Sequence, residues 1–157
     1  MARLGSPAHQ NLESAYHFAA TGMVGVDLYG WDESAGRWRY AVTTSPPTTN
    51  DTNTVLLLGN INATQARKWM VLWPSYDNAV AASIGVPSAA GAKVMPALME
   101  PPERRTRRPV VWYGTSIAQG GVASRPGHTF TAMISSMLNR DVVNHNHTSS
   151  CKRLFLA

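Results

Sequence analysis

Between Pro109 and Asn144 the apolar pattern changes period twice, and no other stretch of the 157 residues limits the fold as tightly. Val110-Val111-Trp112-Tyr113 is a short continuous apolar run of the kind a buried strand makes, and it breaks into Gly114-Thr115-Ser116-Ile117-Ala118-Gln119-Gly120. Phe130, Met133, Ile134, Met137 and Leu138 then fall at i, i+3, i+4, i+7 and i+8, which is one face of an amphipathic helix. Pro126 stands at a first-turn position, Asn139-Arg140 ends the pattern, and Val142-Val143 opens another strand. Strand, helix and strand within roughly thirty-five residues make a βαβ unit, which predicts a parallel sheet with helices on its faces and a right-handed crossover. One such unit cannot cover both faces of its own sheet, so this segment is expected to be marginal in isolation.

The first hundred residues carry a different pattern. Met23 to Tyr29 and Arg37 to Thr43 alternate or cluster β-branched and aromatic residues, and Asp32-Glu33-Ser34-Ala35-Gly36 between them is rich in turn formers, so a hairpin is predicted. Val55 to Leu58 and Trp69 to Trp73 supply two more short apolar runs. Prolines 46, 47, 74 and 87 punctuate the region as they do in a sandwich with many turns. Trp31, Trp38 and Tyr40 read first as core or cross-strand pairs and second as a stacking surface for sugar rings.

A serine placed where a strand breaks into a glycine-punctuated turn is exposed, and a turn leading into a helix can offer backbone donors to an oxyanion. Ser116 is therefore the candidate nucleophile, against the commoner job of serine as a turn or capping residue. Residue 118 is alanine, so this is not the G-x-S-x-G elbow. The turn resembles block I of the SGNH (GDSL-type) ester hydrolases, in which a glycine, a small or acidic residue, the serine and an aliphatic residue are followed by a glycine four positions after the serine. Val122-Ala123-Ser124-Arg125-Pro126-Gly127 continues the likeness, and upstream Gly25-Val26-Asp27-Leu28-Tyr29 is similar to the GxDLY motif of the β-rich domain that precedes such hydrolases in one subfamily. Trp73-Pro74-Ser75-Tyr76-Asp77-Asn78 and Ile84-Gly85-Val86-Pro87 resemble that domain's last strands.

The resemblance implies an α+β chain: a partial, jelly-roll-like β-sandwich over residues 1–96, an Arg/Pro-rich linker over 97–108, and over 109–157 the first βαβ of a flavodoxin-like α/β/α hydrolase domain. It implies carboxylic ester hydrolysis, with a small-molecule or carbohydrate O-acyl ester as substrate and no metal or organic cofactor. The family's later signatures, a Gly-containing block II, a G-x-N-D block III and an Asp-x-x-His block V, do not follow Asn144. The chain is thus expected to be a truncated copy, holding the nucleophile without its base and with little or no activity. Asp141 and His145 are one residue too far apart for the missing dyad. A strand missing from the sandwich would leave backbone donors exposed and predicts poor solubility.

Charge and cysteine use narrow the alternatives. The formal net charge of +5 comes almost entirely from Arg104, Arg105, Arg107 and Arg108, which lie among prolines and read as a solvated hinge rather than a phosphate-contacting arm. No nucleic-acid-binding motif accompanies them. A single cysteine, Cys151, permits no intrachain disulfide, and His145 and His147 beside it read as solvated rather than metal-bound. No run approaches the eighteen or so apolar residues of a membrane span, and Met1 to His9 carries no targeting signal, which leaves a cytoplasmic default and an open oligomeric state. Asn50, Asn62 and Asn146 head glycosylation sequons of a length that arises by chance. The competing function is a non-catalytic β-sandwich module that binds carbohydrate or protein.

Overall fold

The computed structural model describes residues 2–5, 17–44, 52–55, 66–75, 81–86, 91, 93–95, 107–146 and 153–156. Residues 97–106 of the expected 97–108 linker, Asn50 and Asn62 of the sequons, His147 and Cys151 lie outside these residues. In chain order the elements are β1 (Ala2–Gly5), α1 (Ala20–Met23), β2 (Val26–Asp32), β3 (Arg37–Thr44), β4 (Thr52–Val55), β5 (Trp69–Leu72), β6 (Ala81–Ile84), β7 (Val110–Gly114), α2 (Ser116–Gln119), α3 (Phe130–Leu138), β8 (Val142–Asn146) and β9 (Arg153–Leu156). A 3₁₀ turn, Pro126–His128, precedes α3.

The strands form an antiparallel sheet β4-β1-β6, an antiparallel sheet β3-β2-β5-β9 and a parallel pair β7-β8. The predicted hairpin is β2-β3, with Trp31 opposite Trp38 and Tyr29 opposite Tyr40. Both pairs meet edge to face, at ring-centroid distances of 5.2 and 5.8 Å, so these aromatics are cross-strand partners. Asp32 closes the turn: its Oδ1 accepts from Ser34 N at 3.0 Å, Ser34 Oγ at 2.6 Å and Ala35 N at 3.0 Å, while Oδ2 accepts from Arg39 Nε at 2.5 Å.

Ser34, the Ala35 amide and Arg39 all favour the ionised form and hold the Asp32 carboxyl below the usual carboxylate range. A carboxyl whose pKa is depressed by folding contributes stability above its unfolded value, about 3.9, and that contribution disappears as pH falls through the folded value. Carboxyl-detected NMR should therefore find Asp32 still mostly ionised at the pH where a free aspartate is half protonated. An Asp32 midpoint at or above that pH would contradict the turn geometry.

Side-chain alternation along β2 decides what packs where. Val26 and Leu28 point to one face, where they join Val71 and Trp73 in a buried cluster against which Ile84 of β6 packs, so the β6-containing sheet covers that side. Asp27 and Tyr29 point to the other face. There Met70 and Leu72 meet Ala132 of α3, and Tyr29 and Trp38 pack against them. The four-stranded sheet thus has a sandwich partner on one side and the helix-bearing segment on the other.

The βαβ reading holds: β7 and β8 pair in parallel, and α3 lies between them in sequence. Three details differ. Pro126 opens the 3₁₀ turn rather than α3, which begins after Thr129, whose Oγ1 caps Ala132 N at 3.2 Å. The buried face of α3 is Thr131, Ala132 and Ser135, whereas Phe130, Met133, Met137 and Leu138 are exposed, as are Val111, Tyr113 and Val143 on the parallel pair. On that buried face Ala132 meets Met70 and Leu72 of β5. Strand β4 covers Thr52–Val55, and residues 56–58 of the expected run lie outside the described residues. In addition, Arg153–Leu156 pairs with β5 on the edge opposite β2, supplying a strand that no alternation marked.

Candidate active site

Strand β7 delivers the chain to Thr115, an extended N-cap, and Ser116 is the first residue of the four-residue helix α2. Ser116 is exposed. The amides at the first turn of a helix have no intrahelical acceptor, so the corner presents N–H donors beside the serine hydroxyl. Gly120 ends α2 in the left-handed conformation, with φ 91°, and its amide donates to Ile117 O at 3.1 Å and Ser116 O at 3.3 Å. A Cβ there would also lie 3.0 Å from the Thr129 side chain, so both backbone and neighbour require glycine four positions after the serine. Gln119, fully buried, donates from Nε2 to Ser75 O at 2.7 Å and fastens α2 to the segment that follows β5.

The neighbouring strand brings Asn146 beside Gly114 and His145 beside Tyr113. Asp141 stands before the start of β8, its carbonyl accepting from Val110 N at 2.8 Å, while His145 is near the other end of the strand. Four steps along the extended chain separate them by about 13 Å, which rules out a hydrogen-bonded dyad.

A second serine and histidine do meet. Ser124 Oγ lies 2.9 Å from His128 Nδ1, and Arg125 Nη2 lies 2.8 Å from His128 Nε2. A guanidinium can only donate, so Nε2 accepts and the ring proton sits on Nδ1, facing Ser124. In this tautomer His128 donates to Ser124 and cannot take its proton.

Beside this pair lies the carboxylate of Asp27, which is completely buried in β2. Its Oδ2 accepts from Arg125 Nη1 at 2.6 Å and from Gly127 N at 2.8 Å, and its Oδ1 accepts from Thr43 Oγ1 at 2.6 Å. Arg125 Nη1 also donates to Tyr29 Oη at 2.7 Å, and the guanidinium stacks over the Tyr40 ring at 4.1 Å. Burial raises the Tyr29 pKa above its ordinary value, an effect that Arg125 partly offsets. Burial would weaken the Arg125 charge, but hydrogen bonds to Tyr29 and Asp27 outweigh it and keep the guanidinium firmly protonated.

Nearby glycines allow the two segments to touch. A Cβ on Gly22 would collide with the carbonyl of Ala123, and one on Gly127 would collide with Tyr29 Oη and come 2.7 Å from Asp27 Oδ2. Thr21 Oγ1 adds a hydrogen bond to Ser124 O at 2.6 Å. Each fixed letter of Gly25-Val26-Asp27-Leu28-Tyr29 now has a local reason. Gly25 passes where a side chain would strike the Thr21 carbonyl, Leu28 fills the core, and Asp27 and Tyr29 grip Arg125. The sequence pointed to Ser116 but not to Arg125; the available signal was a charged residue set between Val26 and Leu28 in an apolar strand.

Among the described residues no three His, Cys, Asp or Glu side chains cluster as a metal site would require. No helix among them is long and apolar enough to cross a membrane.

Comparison with known proteins agrees with this geometry. Residues 7–91 match the model of the N-terminus of SGNH hydrolase-type esterases that carries the GxDLY motif, and residues 107–153 match a GDSL-like lipase/acylhydrolase family. The chain is similar to a crystal structure of a protein from Bacteroides ovatus described as a GDSL-like lipase, with 25% identity and a TM-score of 0.71. That match covers 94% of this chain and 39% of the other, so the chain spans about two fifths of that protein's length. No curated protein matches the chain.

Proposed function

Since the chain belongs to the family of GxDLY-bearing N-termini of SGNH hydrolase-type esterases, we propose that it is the nucleophile-bearing part of a serine ester hydrolase acting on carboxylic, O-acyl esters. The observation that carries this reading is Ser116, exposed on the first residue of α2 directly after β7, within the segment similar to GDSL-like hydrolases. Carbohydrate acetyl groups fit the proposal as substrates. Residues 1–96 would be the β-rich part, 97–108 the linker and 109–157 the hydrolase part, with Arg153–Leu156 returning to pair with β5.

In this reading Ser116 Oγ attacks the acyl carbon as its proton passes to a base. The tetrahedral oxyanion rests on the Ser116 amide, collapse expels the alcohol, which takes up the proton, and water then hydrolyses the acyl-serine. A base histidine and the further oxyanion donors would come from blocks whose signatures are not found among these 157 residues. A serine without its base retains only a small part of the rate, with losses of several orders of magnitude when triad members are absent.

Hydrolysis of p-nitrophenyl acetate by the 157-residue chain should therefore be slow, and Ser116→Ala should reduce it to the buffer background. Turnover that survives Ser116→Ala would place the chemistry elsewhere. The binding-module reading gains no support from Trp31 and Trp38, which pack on each other, while Tyr40 carries the Arg125 guanidinium on its ring and stays 48% exposed.

A further inference from the structure

We propose that Asp27 and Tyr29 are positioning residues for the Ser116 corner, so that the β-rich part is a piece of the active-site framework rather than a separate module. This rests on the reading of Ser116 as nucleophile. The connection can be followed atom by atom. Asp27 Oδ2 holds Arg125 Nη1 and the Gly127 amide, which fixes both ends of the Arg125-Pro126-Gly127 segment, and Tyr29 Oη holds the same guanidinium nitrogen. The segment runs into Thr129, whose side chain lies against the Cα of Gly120, close enough that a Cβ there would meet it at 3.0 Å. Gly120 is the cap of α2, and its amide is bonded to the carbonyl of Ser116 itself.

Four residues of helix cannot hold their own geometry, because helix nucleation is unfavourable and stability must come from packing. The supports of α2 include its packing against β8 and α3, Gln119 on Ser75 and Gly120 on Thr129, and the last of these is tied to the Asp27 grip. A displacement of a catalytic atom by as little as about 1 Å can cost on the order of 100-fold in rate. The carboxylate is also suited to this task, being wholly removed from solvent and bonded on both oxygens.

The test uses the full chain and Asp27→Asn, which keeps an acceptor for Gly127 but loses the charge that holds Arg125. Two quantities are read at a temperature where unfolding curves show parent and variant fully folded: amide hydrogen exchange, and the rate of fluorophosphonate adduct formation at Ser116. The expected result is exchange across residues 119–129 at least tenfold faster than the loss of global stability in the unfolding curves accounts for, and at least tenfold slower labelling. A role in stability alone would leave labelling of the folded variant unchanged. Parental exchange across 119–129 would overturn the proposal. If the parent itself forms no adduct at Ser116, the nucleophile reading falls, and the exchange result alone decides whether Asp27 holds the turn. Should Asp27→Asn fail to fold, Tyr29→Phe, which leaves the carboxylate paired, is judged by the same criteria with at least a threefold change.

Discussion

Arg125→Ala is expected to lower the stability of the chain by about 3–5 kcal/mol, the scale seen when one partner of a buried ion pair is removed. Asp27 has no exposed surface, and Arg125 exposes 18% of its side chain. Without the guanidinium the carboxylate keeps only the Thr43 hydroxyl and the Gly127 amide, which do not neutralise a desolvated charge. Tyr29 Oη and the face of Tyr40 lose their partner in the same substitution. With a urea slope of roughly 1–3 kcal/mol per molar, the unfolding midpoint should fall by more than about 1 M. The exposed pair Arg39–Asp32, at 56% and 23% exposure, serves as control, and Arg39→Ala should change the midpoint little. Equal small shifts for both variants would show that the interior pair contributes no more than a surface one.

Gly127→Ala is expected to destabilise by about 3 kcal/mol, near the upper end of what overpacking usually costs. Its sign is informative, since glycine to alanine at an unstrained position normally stabilises by about 0.4–1 kcal/mol through the unfolded chain. Here the added methyl meets Tyr29 Oη, Asp27 Oδ2 at 2.7 Å and Arg125 Nη1 at 2.8 Å. Those three groups hold one another, so none can withdraw without breaking a hydrogen bond to the others. A thermal melt at or above the parental midpoint would mean that the joint is looser than its distances imply.

Local patterns carried most of what could be read in advance. The β2-β3 hairpin follows from alternation and from turn formers between Asp32 and Gly36, and the parallel pair follows from two apolar runs joined through a helix. Ser116 at a strand-to-helix corner was legible because a run, a break and a spaced glycine all lie within eleven residues, 110–120. The Asp27–Arg125 pair was not, since 98 positions separate its members and neither has a local signature. The face that α3 buries was not legible for a related reason. Periodicity locates an apolar stripe, but which stripe is covered depends on neighbours elsewhere in the chain, and here Met70 and Leu72 of β5 select Ala132. Strand β9 left a weaker trace in Leu154-Phe155-Leu156, three apolar residues in a row rather than an alternation.

Ser124 gives the serine assignment its sharpest internal comparison. It has a histidine at hydrogen-bond distance and Ser116 is read as lacking its base, yet the tautomer imposed by Arg125 makes that histidine a donor. Mapping the adduct of a fluorophosphonate probe on the intact chain by mass spectrometry separates the two serines directly. Slow modification confined to Ser116 and absent in Ser116→Ala is the expected result; an adduct on Ser124, or labelling undiminished in Ser116→Ala, would refute the assignment of Ser116.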